Sequence, residues 1–304
     1  MGSLLAVIKF PKSASIFPYC PASLLRVTGP DAKTFLQGQF TNDLSNLVPG
    51  KSVYGLWLDR KGKVIADATV VVSPGGADFL IASLSSPAPV IEGHLGSHII
   101  ADDVAIADET AAWRGVSLIG PGAGAWLSGE PRPGIAFPGR RDAGESWEWI
   151  FPEGDSGRAD AAVSGATILG AAEVERMRII SGIPAVPADI GPSDLPNEGG
   201  LDRDAISYSK GCYLGQEVMA RIKSMGRVRR ALVRVRGGVA PPALPAGLWR
   251  GDRREGELRS AVADSAGFDG LALVSVAGAS PGAPFALAAG AADTVEIVKI
   301  AHRP

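Results

Sequence analysis

Cysteine and histidine are scarce in this chain. Its 304 residues include only two cysteines, Cys20 and Cys212, and three histidines. Neither cysteine lies in a Cys-x-x-Cys or Cys-x-x-His pair, which excludes a disulfide-dense secreted scaffold and the common zinc-site spacings. One thiol also falls short of the four thiolates that hold an iron–sulfur cluster. His94 and His98 have a metal-binding spacing on a helix, but no third ligand is near them in sequence, so no metal site is expected and a solvated face is preferred. His302 lies in the tail and carries no argument. Long apolar runs are missing: nothing approaches the roughly 18 residues of a membrane span. The first residues are broken by Lys9, Pro11 and Lys12 and lack a basic signal-peptide start. Neither sign of charge dominates, the net charge being −2. The molecule as a whole is therefore not biased toward nucleic acid or anionic membrane. These absences together predict a protein of the reducing cytoplasm.

What is present is ordinary for a globular protein, with 46% hydrophobic and 20% charged residues, and the length predicts two or three domains. Residues 23–29 read as a strand closing on Gly29-Pro30. Asp31 then caps a helix carrying Ala32, Phe35, Leu36 and Phe40 at helical spacing, ended by Asn42-Asp43. Residues 53–58 and 64–72 read as strands joined by a polar turn with Gly62 at its tip. Strands are also expected at 79–84, 104–107 and 115–119, and a helix at 90–98. Residues 120–157, rich in Gly, Pro and Trp, read as loop and short strand. Helices are expected at 161–169 and 171–180, the second stopped by Gly182, and again at 216–224, stopped by Gly226. Residues 230–235 alternate apolar and basic residues and read as a strand. After Gly237-Gly238 short apolar runs and turn signals dominate, which predicts a small all-β domain. The expectation is an α+β first part, 1–236, and a β-barrel, 237–304.

Chemistry concentrates in the octapeptide Lys210-Gly211-Cys212-Tyr213-Leu214-Gly215-Gln216-Glu217. Gly211 and Gly215 permit unusual backbone conformations around Cys212. A helix begins about four residues later and offers free N–H groups, and Lys210 adds a cation. All three favour the thiolate, the reactive and ligating form. The plainer alternative is a small buried cysteine on a structural turn. Cys20, in a Tyr-Cys-Pro segment, has no comparable setting. Around the octapeptide Arg203, Lys210, Arg221, Lys223, Arg227, Arg229, Arg230, Arg234 and Arg236 face only Asp202, Asp204 and Glu217 as local acids. That pattern fits either a solvated face or an anion subsite for a polycarboxylate or RNA phosphate. The lack of interleaved aromatics argues against a dedicated single-strand platform, so direct nucleic-acid binding is not expected.

The octapeptide, followed by Ala220-Arg221, Gly226-Arg227 and Arg230, resembles the signature of the YgfZ family. This folate-dependent iron–sulfur assembly group is related to the T-protein, the aminomethyltransferase of the glycine cleavage system. The resemblance extends over nearly the whole chain. Arg26 to Asp31, Phe35-Leu36-Gln37-Gly38-Gln39 and Thr41-Asn42-Asp43 resemble the family's opening block. Leu58 to Lys63 with Ala66-Asp67 resembles the second. Glu175-Arg176-Met177-Arg178, Gly182-Ile183-Pro184 and Leu195-Pro196-Asn197-Glu198 resemble the third.

The resemblance implies a GcvT-like folate-binding module of two interlocked α+β subdomains, followed by a C-terminal β-barrel. It implies tetrahydrofolate or a derivative as cofactor, with Glu198 on the pterin ring, where a carboxylate can accept two N–H bonds. Asp67 is a second folate candidate. It is also the one aspartate kept where T-proteins have a pair, since Ala66 precedes it, and this disfavours aminomethyl transfer. Gln39, Arg178, Tyr208 and Arg227 are weaker cofactor-binding candidates. Cys212, with Lys210, is the functional thiol, set by Gly211, Tyr213, Gly215, Gln216 and Glu217. Expected partners are iron–sulfur client enzymes or assembly proteins, including the tRNA methylthiotransferase type. The rival functions are a folate-dependent aminomethyltransferase and a folate-dependent tRNA-modification factor.

Overall fold

The computed structural model describes residues 9–226 and 228–300. The first strand, β1 (Ser15–Tyr19), is followed by β2 (Ser23–Thr28), α1 (Ala32–Gln39), β3 (Ser52–Leu58), β4 (Val64–Val72) and β5 (Phe79–Ser83). Next come α2 (Ala88–Gly96), β6 (Ala105–Asp108), β7 (Trp113–Ile119), α3 (Ala123–Gly129), β8 (Ile135–Pro138) and β9 (Ser146–Pro152). The module closes with α4 (Ser156–Ala162), β10 (Thr167–Ile168), α5 (Ala171–Ser181) and α6 (Gln216–Met225). The last part contains β11 (Arg230–Gly237), β12 (Ala246–Arg250), β13 (Arg253–Asp264), β14 (Gly267–Ser275), β15 (Pro284–Phe285) and β16 (Val295–Ile300).

Two five-stranded sheets make up the module. One runs β3-β4-β5-β2-β6 and the other β10-β1-β7-β9-β8. They interlock because β1 joins the second sheet before β2 to β6 build the first, and β7 to β10 then return to the second. Strand periodicity decides what each face does. On β4, Ala66, Ala68, Val70 and Val72 pack under α1 and α2, with Phe35, Leu36, Ile91 and Leu95. Val71, on the alternate face, packs with Leu80, Phe137 and Ile150 in the layer between the sheets. The far face of the second sheet is covered by α3 and α4, through Trp126, Ala159 and Val163 against Trp149 and Phe151. The order is helices, sheet, sheet, helices, and it turns Asp67 and Thr69 away from α1 and α2, into the layer between the sheets.

The last six strands form one sheet, β12-β13-β14-β11-β16-β15. Trp249 and Ala286 exchange backbone hydrogen bonds of 2.9 and 2.8 Å and bring its two edges together into a nearly closed barrel. Its strands start at Arg230, ahead of the expected boundary at Gly237: Val233 and Val235 turn into the barrel interior, and Gly237 ends the strand rather than preceding it. A cluster including Leu58, Ile179, Tyr213, Met219, Leu232 and Leu271 joins the barrel to the module.

Three expectations are corrected. Residues 120–157 contain α3, β8 and the seven-residue β9. In β9, Trp149 and Phe151 alternate with residues on the other face, a strand period hidden by the glycines around it. The expected helix at 161–169 is displaced to Ser156–Ala162, because Gly165 takes φ +81° and Thr167–Ile168 pair with β1. The helix expected to end at Asn42-Asp43 stops at Gln39, where Phe40 becomes extended and bridges Trp57.

Candidate functional site

Gly215 sets the geometry of the octapeptide. Its φ is +85°, and a Cβ there would lie 2.8 Å from the Asp59 carbonyl oxygen and 3.2 Å from Leu58 Cβ. The turn therefore lies directly on the β3–β4 hairpin, an approach only glycine permits. Gly62, at the tip of that hairpin with φ +72°, faces Val218 and Met219 of α6 in the same way. Two separate sequence blocks thus meet backbone to backbone. Gly211 differs: it has no positive φ and nothing stands within 4 Å of its Cβ position. Tyr213 is buried in the core between module and barrel, and its hydroxyl has no hydrogen-bond partner among the described residues. Gln216 opens α6, and Glu217 is exposed on its first turn. Cys212 is exposed, which answers against the buried structural cysteine. Cys20 is exposed as well.

Lys210 is buried, and its Nζ donates to the backbone carbonyls of Gln37, Phe40 and Asn42 at 2.7, 2.6 and 3.0 Å. An ammonium has three protons, and all three are taken. Burial lowers its pKa to about 8, with the Asp43 carboxylate acting the other way. The expectation of a cation serving the thiol gives way to a clip that fastens the motif to the loop after α1. Leu214 N–H adds a bond to the Gly38 carbonyl at 3.1 Å.

A small cavity opens at one end of the layer between the two sheets. Asp67 of β4 lies on one wall. Phe137 and Pro138 of β8, with Arg140 and Arg141 just beyond, line the other. Asp67 sits deep in the protein, with part of its surface facing the cavity. Its Oδ1 accepts from Ser83 Oγ at 3.0 Å and Ser86 Oγ at 2.7 Å, and its Oδ2 accepts from Tyr54 Oη at 3.0 Å. Burial raises its pKa, opposed by Ser86, Ser83, Tyr54 and the Arg140 charge. A carboxylate offers about four lone-pair positions. Three are filled, so one remains unused on Oδ2 among the described residues. The Arg140 guanidinium stacks 4.0 Å from the Tyr54 ring centre and pairs with Asp204.

The other candidates are dispersed. Glu198 is buried, but Arg230 grips it from Nε at 2.9 Å and Nη2 at 2.8 Å, and Leu195 N–H donates at 2.8 Å. It lines a groove with Lys63 and Arg229, separate from the Asp67 cavity. Arg178 borders the cavity with its guanidinium saturated by Glu175, Asp189, the Ile183 carbonyl and Ser260 Oγ of the barrel. Gln39 ends α1, on the helix-covered side of the sheet, with its Oε1 buried and without a partner among the described residues. Tyr208 lies under Lys223, whose Nζ is 3.9 Å from its ring centre. Arg227 and His302 lie outside the described residues. Among the described residues no cluster of three metal-ligating side chains exists; His94 is partly buried, and burial with His98 nearby lowers its pKa to about 4.

Three residues of the basic stretch are met by acids distant in sequence. Arg230 pairs with Asp194 and Glu198, and Arg234 and Arg236 with the buried Asp269. Sequence reading missed Tyr54, Arg140 and Arg141. The only signal for the arginines was an adjacent pair inside a segment otherwise rich in Gly, Pro and Trp.

The GCVT N-terminal domain family matches residues 10–129. The glycine cleavage system aminomethyltransferase T of Bartonella henselae superposes with a TM-score of 0.75 over 94% of this chain and 85% of that one, at 19% identity, and so shares the fold. Human mitochondrial iron-sulfur cluster assembly factor IBA57 is 30% identical over 302 residues, covering 89% of this chain and 82% of the relative. The tRNA-modifying protein YgfZ of Edwardsiella ictaluri is 30% identical over 234 residues, covering 70% and 68%. No helix among the described residues is long and apolar enough to cross a membrane. With a relative this similar over most of both chains, the protein belongs to the family of the iron–sulfur cluster assembly factor IBA57 and the tRNA-modifying protein YgfZ.

Proposed function

We propose that this protein binds tetrahydrofolate in the cavity between its two sheets and serves the assembly or repair of iron–sulfur enzymes, with Cys212 as its functional thiol. The observation that carries the folate reading is the Asp67 carboxylate, which keeps one acceptor position open toward a cavity walled by Phe137 and edged by arginines. A pterin ring supplies N–H donors for the carboxylate and a flat face for the apolar wall, and the residues present fit it. Asp67, rather than Glu198, is the residue we place on the ring, because Arg230 already holds Glu198. The assembly role rests on the family, whose relatives are described as iron–sulfur cluster assembly factors and tRNA-modifying proteins. A client enzyme that modifies tRNA through an iron–sulfur cluster unites both descriptions. Exposure of Cys212 fits a thiol that must meet another protein.

Aminomethyl transfer is the less favoured reading, because Ala66 stands beside Asp67 where a T-protein-like site would have a second acid. The test combines titration and complementation. Purified protein binds tetrahydrofolate, and Asp67→Asn weakens that binding. Cys212→Ser folds and binds tetrahydrofolate normally but fails to restore iron–sulfur enzyme activity in a deletion strain. Full restoration by Cys212→Ser refutes the thiol role, and transfer of the methylene carbon from an aminomethyl-lipoyl protein to tetrahydrofolate, releasing ammonia and the reduced lipoyl protein, establishes the rival.

A further inference from the structure

Behind the cavity wall lies a buried polar network that the folate reading does not use. Glu148 of β9 is fully buried. Its Oε2 accepts from Ser117 Oγ at 2.6 Å, and its Oε1 lies 3.5 Å from Arg141 Nε. Arg141 Nε also donates to Ser117 Oγ at 3.2 Å. The Arg141 guanidinium carbon lies 4.9 and 5.5 Å from the ring centres of Tyr19 and Phe17. Its side chain is only 14% exposed, yet Arg141 lines the cavity. No partner for its terminal nitrogens is formed among the described residues. The backbone that carries it is pressed onto the same network: a Cβ on Gly139 would lie 2.4 Å from Ser146 Oγ and 2.9 Å from Glu148 Oε1.

The two arginines of the wall are therefore unlike. Arg140 is already engaged with Asp204 and the Tyr54 ring. Arg141 is tethered at Nε, braced by two rings, and open at its far edge. A guanidinium held this way presents two parallel N–H groups, the geometry that grips a carboxylate bidentately. Holding the side chain still in advance removes much of the ordering cost of binding. The Tyr19 hydroxyl and Glu148 Oε1 are both buried and have no hydrogen-bonded partner among the described residues.

We propose that Arg141 is the carboxylate-binding residue of the cavity and that Glu148, with Ser117, is the positioning residue that aims it. This rests on the folate reading, in which the acid is the glutamyl end of the ligand and Asp67 holds the opposite end. The cavity then selects ligands bearing both a ring donor and an acid.

The test compares two probes on the full chain: tetrahydrofolate, and 6-methyltetrahydropterin, which has the ring without the acidic tail. Arg141→Gln lowers tetrahydrofolate affinity about 10- to 100-fold, the range for a lost charge-assisted pair, and leaves the tail-less pterin unchanged. Glu148→Gln and Ser117→Ala act in the same selective way, about 3- to 10-fold. Ser117→Ala keeps the test decisive if Glu148→Gln does not fold. A merely structural role for Glu148 weakens both probes equally. Equal losses, or an unchanged preference in every variant, overturn the assignment. Binding of neither probe by the wild-type protein overturns the folate reading and this assignment with it.

Discussion

Replacing Lys210 by methionine tests whether the lysine of the octapeptide is a structural clip. The substitution keeps an unbranched side chain of similar length and removes the ammonium. Three carbonyls lose their donor: the Phe40 oxygen at a buried contact, and the Gln37 and Asn42 oxygens at partly buried ones. Water can reach the last two in part, so the full penalty falls on one carbonyl and a fraction on the others. A buried unsatisfied acceptor costs about 1–3 kcal/mol, and bonds from a charged donor are worth about 1.5–3 kcal/mol. Relief of the lysine's own burial offsets some of this. The expected loss is about 2–4 kcal/mol. For a domain of this size each kcal/mol moves Tm by roughly 2–4 °C, so a fall of about 4–16 °C is expected. The lysine's pKa falls from 10.5 to about 8 in the folded protein. Between those values the unfolded chain binds more protons than the folded one, so the wild-type advantage over Lys210→Met grows as pH rises through that window. Urea unfolding of both proteins at pH 7 and pH 9.5 checks this. A loss below about 0.5 kcal/mol, the level of an ordinary surface change, refutes the clip.

The two glycines around Cys212 should behave oppositely. Gly215→Ala, at φ +85° and 2.8 Å from the Asp59 oxygen, should cost at least about 2 kcal/mol in unfolding experiments, while Gly211→Ala stays within about 0.5 kcal/mol. Glu198→Gln weakens a buried carboxylate's grip on Arg230, which is partly exposed and keeps Asp194, and should destabilise by about 1–3 kcal/mol. Calorimetric titration should show its tetrahydrofolate affinity preserved, whereas Asp67→Asn loses affinity with little change in stability. Asp43 accepts from Ser45, its largest influence, and from Gln37, which lowers its pKa to about 2. Its stabilising effect is complete above the ordinary carboxylate value near 4 and fades as pH falls toward 2. The stability gap between wild type and Asp43→Asn should therefore close across that range in acid-unfolding curves.

The elements that could be read in advance were those whose signals are local. The β3–β4 hairpin, α5 with its Gly182 stop and α6 with its Gly226 stop each carry their own periodicity and terminator within a dozen residues. The errors fell where a neighbour distant in sequence decides the outcome. β10 is a strand only because β1 offers it an edge, and Phe40 leaves its helix to bridge Trp57. The octapeptide was equally visible as a motif, and the position of its thiol on a glycine turn before a helix was legible. What Lys210 touches was not, because its three acceptors lie in residues 37–42.

Alternation along β4 already separates Asp67 from Ala66 and Ala68, and so determines that an acid shares a face with Thr69 and Val71. The run of charges around the octapeptide likewise establishes where the basic residues are. Only the tertiary structure decides which of these groups remain free. Burying a charge is costly unless an opposite charge meets it, and those partners come from remote segments: Arg230 for Glu198, Asp189 for Arg178 and Asp269 for Arg234. Asp67 and Arg141 line the cavity between the interlocked sheets, a neighbourhood set by residues remote in sequence. Ionic partnership depends on distance in space, which a linear pattern of residue types does not contain.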